Sequence, residues 1–204
     1  MVFAITLPAG ATELFSWHTM DTTLIQKGRF ELSSHHRTRT RQELTYLDQS
    51  RVGAIGRWTA RPKLVVLAGY YFQPQQLRDD LWTRGHRVWG GVEAPLWSKP
   101  GHLVSGRLLM ERHLSTGRAD YFRYRTSLRY VAGKGRVRPF IQNEVLAAWP
   151  GFHSTRNSGG VMMRLNDQLS LDVSYLYDVR RTFWGGDRQS VVTSMKWTPR
   201  WRLR

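Results

Sequence analysis

Residues 118–131, RADYFRYRTSLRYV, alternate with a period of two. Even positions carry Phe122, Tyr124, Thr126, Leu128 and Tyr130, and odd positions carry Arg123, Arg125, Ser127 and Arg129. Successive side chains on a strand point to opposite faces, so this segment has one aromatic face and one arginine face. On a helix the same arginines would scatter around the axis.

The pattern recurs. Residues 169–180 set Leu169, Leu171, Val173, Tyr175, Tyr177 and Val179 against Ser170, Asp172, Ser174, Asp178 and Arg180, with Leu176 the one break. Residues 102–113 set Val104, Leu108 and Met110 against Ser105, Arg107, Glu111 and His113. Three further segments (51–60, 86–97 and 188–197) do the same, and weaker strands fall at 13–26, 29–43, 63–73, 137–149 and 153–165. Turn residues separate them, among them Lys27-Gly28, Arg61-Pro62, Lys99-Pro100-Gly101 and Gly185-Gly186-Asp187. The count comes to about eleven strands, with no composition shift to mark a second domain; many evenly spaced strands imply an all-β sandwich or barrel.

A soluble barrel is apolar inside, whereas a membrane barrel is apolar outside with a polar lumen. The alternating runs extend over roughly 10–12 residues, long for a globular strand and close to what a tilted strand needs to cross a bilayer. An arginine facing lipid near the midplane costs about 2–4 kcal/mol, so the membrane reading requires Arg123, Arg125 and Arg129 to point inward. The polar faces mix acids with bases: Arg107 with Glu111, Arg87 with Glu93, Asp172 and Asp178 near Arg180, and Glu144 near the arginines of 123–129. Trp17, Trp82, Trp89, Trp97, Trp149, Trp184, Trp197 and Trp201 sit near strand ends, as interfacial girdles would. The expectation is a single antiparallel up-and-down transmembrane β-barrel of about 10–12 strands. An even count, ten or twelve, is the rule for bacterial barrels.

Composition enters through charge. Lys and Arg number 31 against 15 Asp and Glu, a formal net charge of +16, and there is no cysteine. That removes a disulfide framework, a cysteine-ligated zinc and a thiol nucleophile. A hydrophobic content of 41% excludes a disordered basic tail. Residues 1–11, MVFAITLPAGA, end on a small-x-small pattern but lack the basic segment of a secretory leader. They read either as a truncated signal-peptide remnant or as an apolar N-terminus, leaving 12–204 as the barrel domain.

The runs RADYFRYRTSLRY, PFIQNEVLAAW, GFHSTRNSGGVMMRL and LSLDVSYLYD, over about 118–180, resemble an uncharacterised bacterial family of outer-membrane-barrel-like proteins, a domain of unknown function. The matching positions are Arg123, Arg125 and Arg129 on an arginine-rich strand, Asn143 and Glu144, then Arg156, Asn157 and Gly160, and Tyr175. The resemblance implies secretion to the outer membrane and no established activity or ligand. The chain departs from outer-membrane habit in ending Trp201-Arg202-Leu203-Arg204 rather than on an aromatic residue.

Candidate chemistry is sparse. His35 and His36 are adjacent, face apart on a strand, and read as a solvated strand end. His153 and Ser154, with Glu144 on the next strand, suggest a hydrolytic triad, but adjacent residues again face apart, and Ser158 lies roughly 17 Å along the strand. No G-x-S-x-G, H-E-x-x-H or P-loop occurs. The constellation that remains is a lumen charge network of Arg107, Glu111, Arg123, Arg125, Arg129, Glu144, Arg156 and Asp172.

The expectation is therefore a non-enzymatic outer-membrane barrel of a Gram-negative bacterium. It is either structural or a narrow anion-favouring pore, without metal or cofactor, and its partners are outer-membrane lipid and lipopolysaccharide. Arg37, Arg39, Arg41 and the 200–204 end are expected in loops and termini, against lipid phosphates. The alternatives are an outer-membrane lipid-modifying enzyme and a soluble basic β-domain that binds nucleic acid. The latter needs aromatics and basic groups on one face, and 118–131 puts them on opposite faces.

Overall fold

The computed structural model of the protein describes residues 14–41, 46–78, 81–116, 119–148, 151–181 and 186–200. The leader-like residues 1–11 lie outside these, as do Trp149, Trp184 and the C-terminal 201–204. The strands are β1 (Leu14–Lys27), β2 (Phe30–Arg41), β3 (Tyr46–Arg61), β4 (Leu64–Phe72), β5 (Gln75–Arg78), β6 (Leu81–Thr83), β7 (Gly85–Lys99), β8 (His102–Ser115), β9 (Tyr121–Ala132), β10 (Val137–Ala148), β11 (Gly151–Arg164), β12 (Leu169–Arg180) and β13 (Arg188–Trp197). β5 and β6 form a small hairpin beside β3 within the β4–β7 connection. The other eleven close into a barrel through β2–β3 and β1–β13.

Eleven is odd, which corrects the expectation of ten or twelve. An up-and-down chain with an odd strand count brings its first and last strands together running the same way. The β1–β13 seam is accordingly parallel, from Leu14 opposite Gln189 to Thr22 opposite Trp197. Every other neighbouring pair in the ring is antiparallel. The barrel has two distinct rims. At the turn end, connections are short: 28–29, 62–63, 100–101, 133–136 and 165–168. Gly28 closes the first of these with φ 55, a left-handed conformation that side chains resist. At the loop end, the connections include the longer 73–84 and 181–187.

The faces follow the alternation. Phe122, Tyr124 and Leu128 point outward, and Tyr124 is 53% exposed, while Arg123 on the same strand is buried in the lumen. Val52, Val88, Leu108, Met110 and Ile141 continue the outward apolar surface around the wall. Inside, Leu67, Tyr71, Trp89 and Leu109 pack together, with Ile55 and Val65 against them. The Trp89 ring lies flat over Gly69 on β4, so close that a Cβ there would sit 2.4 Å from it. Trp17 and Trp89 are buried inside the barrel, which corrects their assignment to an interfacial girdle. Trp58, Trp82 and Trp97 are exposed on the outside.

Candidate functional site

Because β8, β9, β10 and β11 are consecutive neighbours, their inward residues meet across the wall. Glu111 lies opposite Arg123, and Glu144 opposite Arg156. Glu111 is 1% exposed. Arg123 donates to its Oε2 through Nε at 2.8 Å and Nη2 at 2.5 Å, and Arg125 donates to Oε1 at 2.9 Å. His113 bonds the same carboxylate at 3.0 Å, and Arg87 approaches to 3.8 Å. Arg125 also donates twice to Glu144, at 3.1 and 2.5 Å. Arg156 donates to Glu144 at 3.2 Å and lies 3.2 Å from Asp178. Charge-assisted bonds of this kind are short and strong, and they offset the desolvation of the charges they join.

Five of the sequence-predicted residues, Glu111, Arg123, Arg125, Glu144 and Arg156, thus form one network, with Arg125 bridging its two glutamates. The other three lie apart from it. Arg129 pairs with Asp172 at 2.8 Å, reaching past β10 and β11, and its guanidinium lies 4.0 Å from the Phe140 ring centroid. Arg107 bonds Glu93 at 2.8 Å rather than Glu111, and Arg57 shares that carboxylate at 3.3 Å. Arg87 in turn faces Glu111 rather than Glu93.

Toward the loop end the lumen holds a cavity of about 720 Å³, whose lining includes the exposed Ala119 and Asp120. Nine arginines line it: Arg37, Arg39, Arg51, Arg87, Arg123, Arg125, Arg156, Arg180 and Arg188. Arg37, Arg39 and Arg41 therefore belong to β2, where Arg37 and Arg39 line the lumen, and not to a loop; the alternation in RTRTR was the signal that could have placed them. Arg39 pairs with Asp48 and Arg37 donates to Thr19 at 2.9 Å. The Trp17 ring lies 5.3–5.8 Å from the guanidiniums of Arg156, Arg37 and Arg39, within cation–π range.

Two histidine expectations are corrected. His35 is no solvated strand end: it is buried in the lumen, bonds Asp21 at 2.7 Å, and its ring lies 4.6 Å from that of Tyr71. His153 and Ser154 do not face apart. The β10–β11 register slips between Leu146 and Ala147, and this bulge buries both, with Nδ1 and Oγ 3.1 Å from each other. Among the described residues no three His, Asp or Glu side chains gather as a metal site.

A solved barrel described as a bacterial polysaccharide outer membrane secretin has a similar fold, with a TM-score of 0.57 at 12% identity. The match covers 84% of this chain, which spans 64% of the length of that one. No curated protein sequence matches. The arginine-rich β9, the Asn143-Glu144 strand and the Arg156-Asn157 strand that frame the network all lie within a family match over residues 15–189, and the chain belongs to that family, described as a protein of unknown function (DUF2490).

Proposed function

We propose that the eleven strands cross the outer membrane of a Gram-negative bacterium and that the protein is a non-enzymatic, narrow, anion-favouring pore. The observation that carries this reading is the inverted polarity of the wall. Leu128, Ile141 and Val52 face outward while Arg123, Glu111 and Glu144 are buried inside. A soluble barrel with this arrangement would expose far more contiguous apolar surface than a monomer in water tolerates. In lipid the same surface is covered, and the charges gather in a lumen, as in transmembrane barrels. Exposed aromatic rings flank the band, with Trp97 and His102 at the turn end and Tyr70, His86 and Phe152 at the loop end. The likeness to an outer-membrane barrel supports the location.

Side chains narrow the passage. Arg129 reaches past two strands to Asp172, and the Leu67–Tyr71–Trp89–Leu109 cluster fills the inner side of β4, β7 and β8. Arginine-lined constrictions favour anions. Lipid contact is supported by exposed basic residues around the turn end, among them Lys27, Arg29, Lys63, Lys99, Lys134 and Arg136. These take the lipid-phosphate role first expected of Arg37, Arg39 and Arg41. The non-enzymatic reading is supported by Ser154, which is fully buried and points into the lumen, away from any lipid substrate. The separation of outward aromatics from inward arginines argues against a nucleic-acid platform.

Fractionation and bilayer recording test the proposal together. The protein should sediment with the outer membrane, need detergent for extraction, and conduct with anion preference. Recovery in solution without detergent contradicts the membrane reading, and cation preference or silence contradicts the pore.

A further inference from the structure

Among the described residues, the arginines of the loop-end cavity are not all neutralised by carboxylates. Arg51 and Arg87 are each 5% exposed, yet their shared acceptor is the neutral amide oxygen of Gln73. Arg51 donates to it through Nε at 3.0 Å and Nη2 at 2.7 Å, and Arg87 through Nη2 at 2.8 Å. Two guanidiniums therefore converge on one uncharged atom where a carboxylate would balance them. Among the described residues the one carboxylate paired with Arg87, Glu111, is 3.8 Å away and already bonded to Arg123 and Arg125. Nε of Arg87 is buried and makes no hydrogen bond to protein among the described residues. Around the cavity, Arg37 and Arg188 likewise have no carboxylate in salt-bridge range among the described residues; Arg188 lies instead 4.8 Å from the Phe15 ring centroid. Like charges held this close repel one another strongly in a poorly solvated space.

We propose that this cavity is a binding site for a small polyanion carrying several oxyanion groups, phosphoryl or carboxyl. The inference rests on the anion-favouring reading of the lumen and goes beyond it, from passage to a defined site and ligand class. Guanidinium forks match phosphate and carboxylate geometry. The positions of the charges select several groups over one. Arg51 and Arg87 sit on β3 and β7, and Arg37 and Arg188 on β2 and β13, so a single oxyanion cannot reach all four while a linked series can. The volume of about 720 Å³ is that of a metabolite site rather than of a lone ion.

The test is calorimetric titration of sodium tripolyphosphate, and separately of citrate, into the full chain in detergent at low salt. Orthophosphate and the neutral sugar maltotriose serve as comparisons. Binding of tripolyphosphate or citrate, tighter than orthophosphate and with maltotriose silent, is the expected result. Arg51→Gln should weaken it about tenfold and Arg188→Gln severalfold, while Arg57→Gln at the turn end leaves it unchanged. Heat-modifiable gel migration verifies that each variant folds; should Arg51→Gln fail, Arg188→Gln carries the test. No binding of either polyanion overturns the proposal, as does binding indifferent to Arg51→Gln and Arg188→Gln. The two readings fail separately. A chain that binds tripolyphosphate but stays in solution without detergent contradicts the membrane reading alone. One that needs detergent and conducts anions but binds neither polyanion contradicts this site alone.

Discussion

Toward the loop end, Glu111 is sealed in the wall and bonded by two arginines and a histidine, with a third arginine close by. Toward the turn end, the Glu93 side chain keeps 24% of its surface and meets Arg57 and Arg107, whose side chains are 33% and 44% exposed. Both carboxylates face the same lumen from neighbouring strands, yet water reaches one and not the other. The hydrated pairs of the turn end are screened, and removing one partner leaves the other to water. In the dry network of the loop end, a missing carboxylate leaves several guanidiniums facing one another. The excess of arginine sits in that same half, so the residues that make the network rigid are also those proposed to bind anions.

The largest expected effect breaks the network. Glu111→Gln should cost about 3–5 kcal/mol, because it uncovers buried charge. Glu93→Gln should cost no more than about 1 kcal/mol. Unfolding in urea from detergent or lipid measures both, and equal losses would erase the distinction between the halves.

A middle-sized effect concerns packing. Gly69→Ala drives a methyl into the Trp89 ring and should cost about 1–3 kcal/mol. Gly56→Ala, where the nearest atom to a new Cβ is 3.7 Å away on the outer face, should change stability little. Thermal unfolding of the two variants gives the comparison.

The smallest effect isolates the arginine–aromatic contacts. Trp17→Phe keeps a ring among Arg37, Arg39 and Arg156 but weakens its attraction for them, for a loss of about 1 kcal/mol. Trp58→Phe on the outer surface should be near neutral in the same assay.

The eleven barrel strands were legible because period-two alternation is local, and strand 169–180 was placed to the residue. The inward direction of Arg123, Arg125 and Arg129 followed from the cost of the opposite choice. What was not legible depends on neighbours far along the chain. Parity says that Arg107 and Glu111 share a face but not that Arg107 will turn to Glu93 on β7. Nothing in the residues around Phe152 marks the bulge that brings His153 and Ser154 to one side. The parallel seam is a property of closure, set by strand count and invisible in any one strand. Trp89 was readable: it shares parity with Arg87 and Glu93, and its position near a strand end misled.

The central claim is that the aromatic face of β9 meets lipid while its arginine face meets the lumen. With no cysteine in the chain, single spin labels can be placed without background. Labels at Phe122→Cys, Leu128→Cys and Ile141→Cys in reconstituted vesicles should collide with oxygen and be shielded from a water-soluble nickel chelate. A label at Ser127→Cys, between two of them and facing inward, should show the reverse preference. That alternation is the predicted result; labels at all three outward positions open to the nickel chelate, as on a protein in water, would contradict it.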